Sequence, residues 1–183
     1  RLINGQGPRI TNDNISELYA KLDALSEDDI LVISGSIPST LPSDMYESIM
    51  SRLDDKNIRI IVDATRDLLV NVLKYHPFLI KPNNFELGEI VGKTLENDDE
   101  IYEGALKLQE MGARNVLISM AGDGAMLVDE NKKRYRIGVP KGKVRNSVGA
   151  GDSMVAGFVA GYRKSKDYET ALKMGTAAGS ATA

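Results

Sequence analysis

The chain has 183 residues, a formal net charge of −3, no cysteine and a single histidine. Its length supports one full hydrophobic core, and its slight acidic excess disfavours a nucleic-acid partner. The missing cysteines exclude disulfides and thiolate metal sites, and one histidine excludes a polyhistidine metal site. No stretch approaches the roughly 20 apolar residues of a membrane helix. With no signal-peptide pattern either, we expect a cytoplasmic protein without a membrane partner.

Helix-like and strand-like segments alternate over the first two thirds of the chain. Apolar residues three to four apart predict helices, whereas short continuous apolar runs predict strands buried on both faces. In chain order the pattern predicts helix 14–25, strand 29–35, helix 42–56, strand 58–62, helix 67–74, strand 78–80, helices 85–91 and 98–111, and strand 115–120. These β–α units predict an α/β fold with a doubly wound, mostly parallel sheet and helices on both faces.

The pattern changes after residue 120. Two strand-like segments, 125–129 and 134–138, flank a polar turn and predict a hairpin. A glycine-rich loop then leads into two helices rich in Ala and Gly, 152–164 and 168–183. Because no linker divides the sequence, we expect a single domain over 1–183. The chain starts without Met and ends in an Ala/Gly/Thr run, so we expect both ends to cut through ordered structure.

A glycine turn, Gly149-Ala150-Gly151-Asp152, enters the first of these two helices. The glycines let the backbone turn so that successive N–H groups at the helix N-terminus point outward. Such free N–H groups can bind an anion. Asp152 is a poor neighbour for a resting phosphate, but it suits a base that takes a proton from a hydroxyl attacking one. Alternatively, Asp152 is only a first-turn residue favoured by the helix dipole, and the glycines serve only the turn.

Three further motifs follow predicted strands, at the edge where open α/β sheets bind ligands. Asn83 and Glu86 share one helical face and offer hard oxygen ligands for Mg²⁺, with a capping box as the alternative. The small residues of 119–125 leave room for a nucleotide, or form a plain glycine turn between strands. The hydroxyl and N–H groups of 34–38 suit a polar substrate.

These motifs occur together in the order and contexts of a known family. The chain resembles, essentially end to end, the ribokinase-like (phosphofructokinase B type) carbohydrate kinases. The most specific part of the resemblance is the string NSVGAGDSMVAGF, residues 146–158. The strings KPNNFEL, SGSIP and SMAGDGA occur at the matching places in the chain and support it. The opening RLINGQGP and the wording NSVGAGDS are most similar to the 1-phosphofructokinase branch, a close relative of the tagatose-6-phosphate kinases.

The resemblance implies a partial ribokinase-like domain that transfers phosphate from ATP to a sugar phosphate with the help of Mg²⁺. The implied sugar is fructose 1-phosphate, with tagatose 6-phosphate as the alternative. Asp152 would be the catalytic base, and the backbone N–H groups of Ala150, Gly151 and Asp152, with Gly149 shaping the turn, would form the anion hole. Carbonyls near Asn146 and Val148 match a monovalent-cation site of some relatives.

The resemblance also implies the binding residues. For Mg²⁺ these are Asn83 and Glu86. For the nucleotide they are Lys81, Asn83, Ser119, Ala121, Gly122, Asp123, Gly124 and Ser153. For the sugar phosphate they are Arg1, Ser36 and Asp152. The resemblance implies that the family's lid sheet and most of its sugar site precede the matched segment, and that a last stretch, which helps enclose adenine, follows it. Because dimerisation through the lid is usual in the family, we expect a homodimer of the full-length protein.

The chain departs from the family wording at two places, and two other function classes stay open. Asn146-Ser147 stands where many members have Asp-Thr, and Ala121 stands where many have Gly. A non-catalytic nucleotide or sugar sensor on the same fold is one alternative, against which Asp152 argues. A dinucleotide-dependent oxidoreductase is the other, disfavoured because no G-x-G-x-x-G motif follows the early strands.

Overall fold

The computed structural model describes residues 9–140 and 142–183. Its helices are α1 Asn12–Asp23, α2 Met45–Leu53, α3 Arg66–Val72, α4 Asn84–Val91, α5 Asp98–Glu110, α6 Ala150–Ser165 and α7 Tyr168–Thr182. Its strands are β1 Ile30–Ser34, β2 Arg59–Asp63, β3 Leu79–Ile80, β4 Asn115–Ser119, β5 Ala125–Val128 and β6 Arg134–Ile137. Short 3-10 turns cover Asp54–Lys56, Leu73–Tyr75 and Ala121–Asp123.

Every predicted helix and strand is present, with ends that differ by a few residues. The second helix begins at Met45 and not at Pro42, because the residues between them form a turn that Met45 N–H closes on the Pro42 carbonyl. Its last turn is a 3-10 turn that ends at Asn57, which has left-handed backbone angles. These differences leave the predicted β–α alternation intact.

The six strands form one sheet in the order β1-β2-β3-β4-β5-β6. Strands β1 to β4 pair in parallel, and the hairpin β5–β6 adds two antiparallel strands. The predicted mostly parallel sheet is therefore confirmed. Parallel crossovers are right-handed, so neighbouring strands added in one direction place their helices on one face of the sheet.

Two hydrophobic cores lie on opposite faces of the sheet. Helices α1 to α5 contribute to one core, whereas α6 and α7 contribute to the other. Strand β2 shows the alternation, since Ile60 and Val62 belong to the first core and Ile61 to the second. Helices therefore cover both faces, as predicted. No helix of the described residues is long and apolar enough to cross a membrane.

Small residues let α6 and α7 approach each other closely. A methyl group at Gly157 of α6 would lie 2.6 Å from the Met174 carbonyl oxygen and 2.8 Å from the Ala178 Cβ of α7. A methyl group at Gly179 would lie 3.0 Å from the Ala150 carbonyl oxygen in the first turn of α6. This contact fixes where the N-terminus of α6 meets the sheet.

Replacing Gly157 by Ala should destabilise the protein. The added methyl group meets backbone and Cβ atoms that cannot move aside, and overpacking of this kind costs about 1–3 kcal/mol. The gain in helix propensity offsets only about 1 kcal/mol of that cost. Urea unfolding should show a lower midpoint for Gly157→Ala than for the matched variant Gly138→Ala, whose methyl group meets nothing within 4 Å. Equal midpoints would contradict the tight packing of α6 on α7.

Candidate active site

The predicted motifs meet at the carboxyl edge of the sheet. Gly35 N–H, after β1, donates to the Asp63 carbonyl at 3.2 Å, and Ser119 N–H, at the end of β4, donates to the Pro82 carbonyl at 3.1 Å. A further bridge pairs Asn83 with Ser119. Backbone contacts therefore join strand ends that lie far apart in the sequence into one row along the carboxyl edge of the sheet.

Lys81 connects this row to the glycine turn. Its side chain is 9% exposed, and its Nζ lies 3.2 Å from Asp63 Oδ1 at the end of β2. The same Nζ lies 3.2 Å from the position that a methyl group at Gly151 would take. Glycine at 151 therefore leaves room for a buried ammonium directly beside the turn. One side chain thus joins β2, β3 and the start of α6.

Asp63 is a site residue that the sequence analysis missed. Burial raises the pKa of its carboxyl, the Lys81 ammonium opposes that rise, and the negative charge of Asp152 adds to it. Asp152 and Asp63 are thus close enough to interact electrostatically across the site. The signal was present in the sequence, because Asp63 directly follows a buried strand at the edge where ligands bind.

The glycine turn presents an open helix N-terminus. Gly149 adopts a φ of 80° before α6, and Ser153 N–H makes the helical bond to the Gly149 carbonyl at 2.9 Å. Ala150 N–H donates to the Ser147 carbonyl at 3.2 Å, so one of the N–H groups predicted for the anion hole is engaged within the turn. The N–H groups of Gly151 and Asp152 belong to the first helical turn, which has no intrahelical acceptors for them. The Asp152 residue itself is exposed.

Helix α7 supports this turn from behind. Thr182 Oγ1 lies 2.8 Å from Ser153 Oγ, so the predicted nucleotide residue Ser153 contacts α7. The carbonyl of Ala183 accepts hydrogen bonds from the N–H groups of Arg145 and Asn146 at 2.8 and 3.0 Å. The last part of the loop before α6 and the first turn of α6 are therefore both held by the end of α7. The monovalent-cation site beside this loop stays a prediction.

Asn83 and Glu86 form the capping box that the sequence left as an alternative. Asn83 Oδ1 accepts hydrogen bonds from the N–H groups of Phe85 and Glu86 at 2.9 Å, and Asn83 N–H donates to Glu86 Oε2 at 2.8 Å. No group of three or more His, Asp or Glu side chains within the described residues could hold a metal ion. A magnesium ion here would depend on one or two carboxylates plus water and nucleotide phosphates, which is its usual mode.

The predicted nucleotide turn follows β4. Its backbone closes through Met120 N–H to the Gly124 carbonyl at 2.8 Å, and Ala121 adopts a φ of 46°. That left-handed conformation suits glycine, which gives a physical reason for the family preference at Ala121. The turn exposes Ala121, Gly122 and Asp123, whereas Gly124 is buried against β6.

Of the residues predicted to hold the sugar phosphate, Ser36 follows β1. Ser36 is exposed just beyond the end of β1, where Gly35 N–H reaches the Asp63 carbonyl. Tyr46 supports the same loop, since its hydroxyl donates to the Gly35 carbonyl at 3.1 Å, and burial raises the pKa of that hydroxyl. Arg1 lies outside the described residues.

Comparison with known proteins identifies this arrangement. The family of pfkB carbohydrate kinases matches residues 1–183. The chain belongs to the pfkB family of carbohydrate kinases. A 1-phosphofructokinase of Bacillus subtilis is 46% identical over 99% of the chain and 59% of its own length. A D-tagatose-1-phosphate kinase of Bacillus licheniformis is 36% identical over 100% of the chain and 60% of its own length.

Solved structures agree with this pfkB assignment. A Staphylococcus aureus protein described as a phosphofructokinase superposes with a TM-score of 0.93 at 38% identity, over 99% of the chain and 59% of its own. Arabidopsis thaliana ribokinase, 22% identical over 94% of the chain and 53% of its own, has a TM-score of 0.73 and shares the ribokinase-like fold. The chain thus spans about three fifths of the length of the curated relatives. Family membership leaves the oxidoreductase alternative without support.

Replacing Lys81 by Met in this pfkB protein should raise the pKa of Asp63 further. The substitution removes the positive charge that opposes the effect of burial, while the charge of Asp152 remains. A carboxyl with a raised pKa keeps its proton in the folded state after the unfolded chain has lost it, so its contribution to stability falls as the pH rises through the folded pKa. Stability should therefore decline more steeply above about pH 4 in Lys81→Met than in the wild type.

Carbon-detected NMR titration of the Asp63 carboxyl measures this shift directly. The matched control is Lys93→Met, which removes an exposed lysine that follows α4 and pairs with Glu100 at 2.7 Å. An unchanged Asp63 titration in Lys81→Met would show that the two groups do not interact as described.

Proposed function

We propose that the protein transfers the γ-phosphoryl group of ATP to a hydroxyl of a sugar phosphate, with fructose 1-phosphate as the preferred acceptor. The observation that carries the proposal is the placement of Asp152. Its exposed carboxylate stands on the open N-terminus of α6, in the same turn as the glycine that contacts Lys81. A sensor that only bound a phosphate would gain nothing from a carboxylate at that position, because like charges repel.

In the proposed reaction Asp152 accepts the proton of the attacking sugar hydroxyl. The oxygen then forms a bond to the γ-phosphorus while the bond to the bridging oxygen breaks, and ADP leaves with that oxygen. Phosphoryl transfer asks the protein mainly for positioning and for stabilisation of charge on the transferring group. The N–H groups of Gly151 and Asp152 and the helix dipole supply fixed positive ends for that charge.

Lys81 adds a full positive charge to the same place. Its burial would be costly without a partner, and Asp63 supplies that partner at 3.2 Å. The ion pair also orients the ammonium along the edge of the sheet, beside Gly151. We infer that Lys81 neutralises phosphate oxygens and that Asp63 holds it there, so the charge is in place before the nucleotide arrives.

The residues present fit a magnesium ion carried by the nucleotide. Glu86, in the first turn of α4, and Asp63, at the end of β2, offer hard carboxylate oxygens. Asn83 holds Glu86 in place through the capping box, since its own amide oxygen already accepts two hydrogen bonds. The capping box uses Oε2 of Glu86, and the second oxygen of a carboxylate can accept a ligand or its water. When bound, Mg²⁺ neutralises charge on the phosphates. These side chains orient it and its water shell.

The identity of the sugar is the finer part of the proposal. Relatives named 1-phosphofructokinase and D-tagatose-1-phosphate kinase support a ketohexose phosphate as the acceptor. Tagatose 6-phosphate is the second candidate. Ser36 beyond β1 and Arg1 are the residues of this chain proposed to hold the sugar phosphate. A homodimer of the full-length protein stays a prediction.

Asp152→Asn in the intact gene product should lower kcat about 10²–10⁴-fold, which is the usual contribution of a general base. ATP affinity should not fall, because the substitution keeps the shape of the side chain and removes a negative charge beside the phosphates. Coupled assays of the wild type and the variant on fructose 1-phosphate and on tagatose 6-phosphate measure both effects. Undiminished turnover in Asp152→Asn would eliminate this base, and higher wild-type efficiency on tagatose 6-phosphate would reverse the choice of sugar.

A further inference from the structure

Arg136 of β6 lies outside the predicted site and contacts the nucleotide turn from behind. Its Nη1 donates to the Asp123 carbonyl at 2.6 Å and to the Ile137 carbonyl at 2.8 Å. Its Nε donates to Asp98 Oδ2 at 3.0 Å, in the first turn of α5. One planar guanidinium therefore ties the turn after β4 to the end of β6 and to the start of α5.

The nucleotide turn needs such support because its own backbone is strained. Ala121 holds a left-handed φ of 46°, which is unfavourable for a residue with a side chain. Gly124 adopts a φ of 94°, and a methyl group there would lie 2.0 Å from the Ile137 carbonyl oxygen. The back of the turn is thus pressed against β6. Its front is open, since a methyl group at Gly122 would meet nothing within 4 Å.

The chemistry of the guanidinium suits this task. A charged donor makes shorter and stronger hydrogen bonds to carbonyl oxygens than a neutral donor does. The fork of Arg is rigid, so the bond to Asp98 orients the nitrogen that reaches Asp123. An exposed carbonyl such as that of Asp123 would otherwise bond to water and leave the turn free to shift.

We propose that Arg136 is a positioning residue for the nucleotide: by fixing the Asp123 carbonyl it holds the turn 121–124 in the shape that binds ATP. The inference rests on the proposed function, because it takes this turn as part of the nucleotide site. Arg136 itself touches neither substrate. Its effect passes through the backbone of the turn, and Asp98 contributes by orienting the guanidinium.

The same strand provides a matched control. Arg134, two residues earlier on the same face of β6, donates to Asp99 Oδ1 at 2.6 Å and lies over the Tyr102 ring at 5.2 Å. It therefore also ties β6 to α5, and its contacts lie on α5 and not on the nucleotide turn. Replacing either arginine by Ala removes a charge and an ion pair from β6, but only the change at Arg136 releases the turn.

Kinetics of the intact gene product with varied ATP test the proposal. Arg136→Ala should raise the KM for ATP about 3- to 10-fold, within the range expected for losing one ordinary hydrogen bond, because the effect reaches ATP only through the backbone of the turn. The KM for the sugar phosphate and kcat should stay near the wild-type values, because the acceptor site and the base are unchanged. Arg136→Lys should recover part of the loss, Asp98→Asn should raise the KM for ATP less, and Arg134→Ala should leave it unchanged.

An equal rise in the KM for ATP in Arg134→Ala and Arg136→Ala would overturn the proposal, as would a parallel rise for both substrates. If Arg136→Ala does not fold, the KM for ATP of Arg136→Lys and of Asp98→Asn is compared with that of Arg134→Ala in the same way. Calorimetric titration with a non-hydrolysable ATP analogue repeats the comparison without catalysis. A wild type that binds the analogue but phosphorylates neither sugar contradicts the proposed function, while the ratio of Kd values between the two Ala variants still decides on Arg136.

Discussion

The burial of one lysine is the constraint on which the site depends. An ammonium at the edge of a hydrophobic core is costly unless it has a partner, and Lys81 finds one in Asp63, one strand away. The pair fixes where β2 and β3 present their ends, and the absence of a side chain at Gly151 lets α6 close over it. The positive charge, the open N-terminus of α6 and the carboxylate of Asp152 therefore lie together in one small region of the structure.

Local folding signals and site chemistry coincide in several of the same residues. Asn83 and Glu86 cap α4 with reciprocal hydrogen bonds, and Glu86 is also a residue proposed to hold Mg²⁺. Gly149 turns the chain into α6 and thereby exposes the first N–H groups of that helix. A structural interpretation and a functional interpretation of such motifs do not exclude each other, because a well-capped helix start is also a rigid place to hold a ligand.

The architecture could be predicted from sequence because its signals are local. Continuous apolar runs such as 30–33 and amphipathic spacing in helices identify β–α units, and crossover handedness then places the helices. The pairs that complete the site join distant segments. The contacts of Lys81 with Asp63, Ser153 with Thr182 and Arg136 with Asp123 each depend on how the sheet edge and helices assemble. No periodicity encodes those contacts. The resemblance to pfkB kinases pointed to Lys81 and Ser153 but not to their partners.

The position of the transferring phosphate tests this account most directly. A crystal structure of the intact gene product with a non-hydrolysable ATP analogue, Mg²⁺ and fructose 1-phosphate locates that group relative to α6. We expect the terminal phosphate within hydrogen-bonding distance of the N–H groups of Gly151 and Asp152 and of Lys81 Nζ, with a sugar hydroxyl against the Asp152 carboxylate. A terminal phosphate bound at any other strand end, away from this turn, would contradict the account.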